Sequence, residues 1–221
     1  LNFRNSDSLR EALNVYFIMG SPNCKDHPVR VLQEAIEGGI TLYQFREKGT
    51  GALTGDQKLE QARQLQQICR ENHIPFLIND DISLAISLNA DGVHIGQDDE
   101  PVEEVRKKLG NDKIIGVSVH SYDEAVTALK GGADYFGIGP VFPTKTKEDA
   151  KPSNGTKLIE ELRHKGFSIP IVGIGGITAD NAGSVITAGA DGVSVITAIS
   201  HAPSVTEAAK SLRKGVLETR S

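Results

Sequence analysis

Arg46 and Lys48 stand two residues apart in TLYQFREKGT (41–50), directly after the strand-like run Leu42, Tyr43, Gln44, Phe45. At that spacing two cations share one face of an extended chain, and a shared cationic face suits an anion. Asn79, Asp80 and Asp81 close a second apolar run, and Gln97, Asp98 and Asp99 follow a third. Asp80 and Asp99 together suit a hard divalent cation such as Mg²⁺, completed by phosphate oxygens and water. An acid/base pair is another chemistry open to them. Helix capping is a third role, and at least one Asp of each pair is expected to be an N-cap. Ser118 and His120 end a further run, and Thr197 ends the last. Thr144, Lys145, Thr146 and Lys147 sit in a long polar segment (140–155) that reads as a lid with a second anion contact. GIGGIT (173–178) offers small residues that admit a ligand to the backbone, with a helix expected to start near Thr178. His94 lies inside a strand-like run and reads as packed rather than catalytic. His27, His73, His164 and His201 read as surface residues. The sequence contains no histidine pair at metal-ligand spacing and no Ser-His-Asp constellation.

These groups need a scaffold that brings distant runs together. Eight short β-rich segments recur: 15–19, 41–46, 75–79, 92–96, 114–119, 135–139, 170–175 and 192–197. Three of them open on near-repeats, NADGVHIG, GGADYFGIG and AGADGVSVIT, in which an Ala-Asp step precedes the strand. Helical patterns lie between strands. In 56–72, Leu59, Ala62, Leu65, Ile68 and Cys69 recur every three or four residues, and Ser121 with Glu124 forms a capping-box pair before 122–132. Even strand–helix alternation predicts one α/β domain, a (β/α)8 TIM barrel, in preference to an open doubly wound sheet. Residues 1–14 are expected to form an N-terminal extension with a short extra helix, and 15–221 the barrel. The candidate site residues, from Arg46 to Thr197, then fall at or just after strand C-terminal ends, where barrels of this type carry their sites. Along 42–48, alternation sends Leu42, Gln44, Arg46 and Lys48 into the barrel. Tyr43 and Phe45 face the helices, with Glu47 as a structural partner.

The chain has 221 residues and a net charge of −5, which offers no footprint for nucleic acid or membrane. Cys24 and Cys69 lack CxxC spacing and are expected to be free thiols in a reducing cytoplasm. No signal-peptide pattern or membrane-length apolar run is present, so a cytoplasmic location is expected. Small phosphorylated molecules are the expected partners, and a homo-oligomer is compatible with this reading.

Two anion sites, a carboxylate pair and no obvious nucleophile suit joining two phosphorylated molecules with departure of diphosphate. Seven segments carry a more specific signal: LYQFREK (42–48), NDD (79–81), ADGVHIGQDD (90–99), GVSVH (116–120), GIGPVFPTKTK (137–147), VGIGGI (172–177) and GVSVITAI (192–199). In this order they resemble the thiamine phosphate synthase family across 15 to about 200. The resemblance implies that an aminopyrimidine methyl diphosphate loses diphosphate and that a thiazole phosphate nitrogen captures the resulting cation. It assigns Gln44, Arg46, Lys48, Asn79, Ser118 and Lys147 to the pyrimidine diphosphate, with Arg46, Lys48, Ser118 and Lys147 as catalytic candidates. Thr144, Thr146, Gly176, Ile196 and Thr197 fall to the thiazole phosphate, and Asp80 and Asp99 to Mg²⁺. Thr197 stands where serine is common in that family. The alternatives are a thiazole tautomerase-type isomerase of the same fold and a non-catalytic phosphate-ligand-binding protein.

Overall fold

A computed structural model describes residues 6–144, 146 and 152–220. Eight parallel strands close into a barrel in sequence order: β1 (Val15–Met19), β2 (Leu42–Phe45), β3 (Phe76–Asn79), β4 (Gly92–Ile95), β5 (Ile114–Val119), β6 (Tyr135–Ile138), β7 (Ile171–Ile174) and β8 (Gly192–Val195). The barrel closes where β8 pairs with β1, Val193 opposite Val15. Helices alternate with the strands: α1 (Ser6–Ala12), α2 (Pro28–Glu37), α3 (Gly55–Glu71), α4 (Ile82–Ser87), α5 (Val102–Leu109), α6 (Tyr122–Lys130), α7 (Lys157–His164), α8 (Ala182–Thr187), α9 (Thr197–Ser200) and α10 (Val205–Arg220). The expected (β/α)8 barrel is the observed fold. β1 and β5 have the expected bounds, and the other six strands are shorter than expected by one or two residues.

Strand parity divides the core in two. Val15, Phe17, Tyr43, Phe45, Phe76 and Val93 belong to the apolar layer between strands and helices. Tyr16, Leu42, Leu77, Ile114, Tyr135 and Val172 fill the barrel interior. Leu9, Ala12 and Leu13 join this inner cluster. The extra N-terminal helix is therefore a plug, with its apolar face closing the end of the barrel where the strands start.

The near-repeats have a common physical cause. Asp91, Asp134 and Asp191 each precede a strand and accept from the backbone N–H at the start of the preceding strand: Phe76, Ile115 and Ile171, at 2.8, 2.7 and 2.8 Å. Each carboxylate satisfies a donor that the sheet ladder leaves over at the barrel floor. Arg106 pairs with Asp134 and Arg163 with Asp191, at 2.6 and 2.7 Å. These links fix the height of one strand against the next, and so the height of the groups at their far ends.

Candidate active site

The C-terminal strand ends surround a cavity of about 740 Å³. Its β2–β4 side holds Arg46, Lys48, Asn79, Asp80 and Asp99. Arg46 continues the inward face of β2 and is 7% exposed, packed at the cavity edge. Glu47 points the other way. It accepts from the backbone N–H groups of Ser21 and Leu53, both at 2.8 Å, and from the Ser21 hydroxyl. One carboxylate thus ties the loops after β1 and β2 together and holds the two cations between them.

Asp80 has a left-handed backbone (φ 59°) and pairs with Lys48 at 3.0 Å. Asp81 caps α4, accepting from Leu84 N–H at 2.9 Å, and pairs with Lys58 at 2.7 Å. Burial acts to raise the Asp81 carboxyl, but Lys58 and the Leu84 amide outweigh it and hold the group below its usual range. Asp99 accepts from the Gly96 N–H at 2.6 Å. Burial, opposed by that amide, acts with the neighbouring Asp80 carboxylate to raise the Asp99 carboxyl above its usual range. The two carboxylates thus converge, although strand ends and sequence keep them 19 positions apart. The capping expectation holds for the first Asp pair and fails for the second: α5 starts after Pro101 with no side-chain cap, because Asp99 turns back to Gly96.

The β6–β8 side is built from hydroxyls and small residues. Thr144 Oγ1 accepts from the Thr146 N–H at 3.2 Å, and Thr146 Oγ1 lies 3.2 Å from Thr197 Oγ1. These threonines join the loop after β6 to the start of α9. Gly175 and Gly176 take left-handed φ values of 94° and 64°. A Cβ on Gly176 would lie 2.6 Å from the Pro143 carbonyl oxygen, so the glycine lets the β6 loop fold against the β7 loop. Gly176, Ile196 and Thr197 all line the cavity. The helix after β7 begins at Ala182 and not near Thr178. Asn181 holds the intervening turn by accepting from Thr178 N–H at 2.9 Å and donating to Gly176 O at 3.0 Å.

Ser118 lies between the two sides, on the inward face of β5. Gln44, grouped with the ligand contacts by sequence, sits one layer below the cavity, 1% exposed and donating to the Tyr16 hydroxyl. His94, read as a packed residue, lines the cavity and lies 2.8 Å from Ser118 Oγ. The signal for it was parity: Gly92 and His94 share the inward face of β4. His201, read as a surface residue, also contributes to the cavity wall. Ser121 caps α6 as expected, accepting from Glu124 N–H at 3.2 Å. The Glu124 carboxylate reaches His120 N–H at 2.7 Å, completing the turn one residue earlier than the usual box. Lys147 lies outside the described residues. Both cysteines are free, Cys69 buried and Cys24 partly so. Burial, with Glu47 and Asp26 nearby, pushes the Cys24 thiol up to about 12, far from a reactive thiolate. Among the described residues no helix is long and apolar enough to cross a membrane.

A closed barrel with cations, paired carboxylates and hydroxyls converging in one mouth defines an enzyme site for small anionic molecules. Residues 15–199 match the family described as thiamine monophosphate synthase. A thiamine-phosphate synthase of Bacillus cereus (strain AH820) is 58% identical over 204 residues, covering 92% of this chain and 93% of that protein. One from Bacillus thuringiensis (strain Al Hakam) is also 58% identical over 204 residues, with the same coverage. The solved structure of a thiamine phosphate pyrophosphorylase from Pyrococcus furiosus superposes with a TM-score of 0.85 at 37% identity, covering 96% of this chain and all of that one. The chain belongs to the thiamine monophosphate synthase family, enzymes of the transferase class.

Proposed function

We propose that the protein couples 4-amino-2-methyl-5-(diphosphooxymethyl)pyrimidine with a thiazole phosphate, giving thiamine phosphate and diphosphate. The observation that carries this reading is the division of one cavity into a cation-and-carboxylate side and a hydroxyl-and-glycine side. Two anionic partners can then be held face to face, and the names of the relatives agree with that pairing.

The donor set fits Mg²⁺. Two converging carboxylates offer hard oxygen ligands, and Mg²⁺ ordinarily binds one or two carboxylates plus substrate phosphates and water. Asp80 and Asp99 would hold the ion, whose chemistry there is to neutralise charge on a departing diphosphate. Arg46 and Lys48 do the same from the segment that follows β2, and Asn79 orients the pyrimidine diphosphate beside them. In this reading Lys147 adds a further cation over the diphosphate. Thr144, Thr146 and Thr197 donate hydroxyls to the thiazole phosphate, while Gly176 and Ile196 shape its wall.

The pathway is dissociative: the C–O bond to diphosphate breaks first, and the thiazole nitrogen captures the pyrimidine-methyl cation. No side chain acts as nucleophile. The protein's work is positioning and preorganised charge. The test is a coupled product assay with both substrates, with and without Mg²⁺. Mg²⁺-dependent release of equal amounts of thiamine phosphate and diphosphate is expected. Isomerisation of a thiazole phosphate without thiamine phosphate formation, or binding without turnover, would sink the proposal.

Ser118 faces the space between the two halves. Ser118→Ala should lower kcat by about tenfold and raise KM less, because the lost hydrogen bond matters most where charge develops. An unchanged kcat in steady-state assays would remove Ser118 from the chemical step.

A further inference from the structure

Five polar side chains cross the interior of the barrel in one continuous chain. Gln44 Nε2 donates to Tyr16 Oη. Tyr16 Oη lies 2.8 Å from Tyr135 Oη, and Tyr135 Oη 2.8 Å from His94 Nδ1. His94 Nε2 then lies 2.8 Å from Ser118 Oγ. Gln44, Tyr16 and Tyr135 are at most 1% exposed, and of the five only His94 and Ser118 line the cavity. Two glycines make the chain possible. A Cβ on Gly116 would lie 2.0 Å from the Tyr135 ring, and one on Gly137 would lie 3.0 Å from His94 Cε1.

The polarity of this chain follows from counting protons. A side-chain amide nitrogen is only a donor, and each phenol has one proton to give. Burial raises both phenols well above their ordinary range, so each keeps its proton. With its Nε2 turned toward Tyr16, Gln44 supplies a proton to the Tyr16 oxygen, and this amide orientation sets the direction of the whole chain. Tyr16 then donates to Tyr135, and Tyr135 donates to His94 Nδ1. The reverse order would have Tyr135 donating to Tyr16. Tyr16 would accept twice while its own O–H found no place in the chain, an expensive arrangement in a dry interior. With Nδ1 accepting, a neutral His94 carries its proton on Nε2.

We propose that His94 is a positioning residue: fixed as the Nε2–H tautomer by the buried chain, it donates to Ser118 Oγ and turns the Ser118 proton into the cavity. The Ser118 hydroxyl is thereby committed as a donor to an acceptor atom of the bound phosphorylated substrate. This last step rests on the functional reading above; the tautomer does not.

The test is ¹⁵N NMR of histidine-labelled, ligand-free protein, with His94→Gln identifying the His94 resonances. A protonated Nε2 and a bare Nδ1 are expected. Tyr135→Phe removes the donor to Nδ1 without altering the cavity lining. It should move His94 to a mixture of tautomers and lower kcat about tenfold, with KM changed by less than about twofold. Tyr16→Phe leaves the Tyr135 O–H in place, so His94 should stay Nε2–H there; the parent spectrum by itself tests the tautomer if the Tyr135 variant does not fold. A protonated Nδ1 in the parent protein, or an unchanged tautomer and kcat in Tyr135→Phe, would overturn the proposal. An Nε2–H His94 in a protein that makes no thiamine phosphate would overturn only the functional reading.

Discussion

Asp80→Asn and Asp99→Asn should each lower Mg²⁺-dependent turnover by about 10²- to 10³-fold, the range seen when one preorganised electrostatic contact to a reacting centre is removed. Asparagine is the right probe at both positions. Asp80 has a left-handed backbone that asparagine tolerates and alanine does not, so Asp80→Ala would mix strain with loss of charge. Asp99 accepts from Gly96 N–H, and an amide oxygen preserves that turn. Each variant keeps the shape of the loop and removes half the negative charge of the pair. In Asp80→Asn, Lys48 also loses the partner it holds at 3.0 Å. The measurement is initial rate over a Mg²⁺ titration at saturating substrate. A weaker apparent affinity for Mg²⁺ should accompany the lower maximal rate. If either variant kept the parent rate and Mg²⁺ dependence, that carboxylate would not belong to a metal site.

Much of this site can be read from alternation along single strands. On β2, the parity of Leu42, Gln44 and Arg46 against Tyr43, Phe45 and Glu47 separates the barrel interior from the helix layer, and the structure follows it residue by residue. Parity gives direction but not depth. Gln44 points inward as expected yet stops below the cavity, because Tyr16 from β1 rises to meet its amide. His94 shows the converse: it packs against Tyr135, but its other nitrogen reaches Ser118. Which inward residues meet a ligand depends on the stagger between strands and on side chains reaching across the barrel. No single strand carries that information. The same holds at Pro101, where a carboxylate expected as a cap is drawn away by the Gly96 amide.

The stagger has its own support on the barrel floor, and Asp191→Ala tests it. Asp191 accepts from Arg10, from Arg163 at 2.7 Å and from Ile171 N–H at 2.8 Å. It thereby joins the plug helix α1, α7 and the start of β7 at one carboxylate. Burial pulls the Arg163 guanidinium below its usual range and Asp191 opposes that, while Arg10 adds like-charge repulsion. Removing the carboxylate would leave two guanidiniums facing each other and a strand-end N–H without its acceptor. A loss of about 3 kcal/mol is expected, the lower end for breaking a buried ion pair from one side, because these side chains stay 15–27% exposed. Asp134 is the control, since it repeats the motif with one arginine, and its side chain is 39% exposed against 15% for Asp191. Asp134→Ala should cost about 1–3 kcal/mol. Urea unfolding followed by circular dichroism would read both as shifts in midpoint at constant slope. A loss in Asp191→Ala no greater than in Asp134→Ala would mean that the plug helix is held by its apolar face alone.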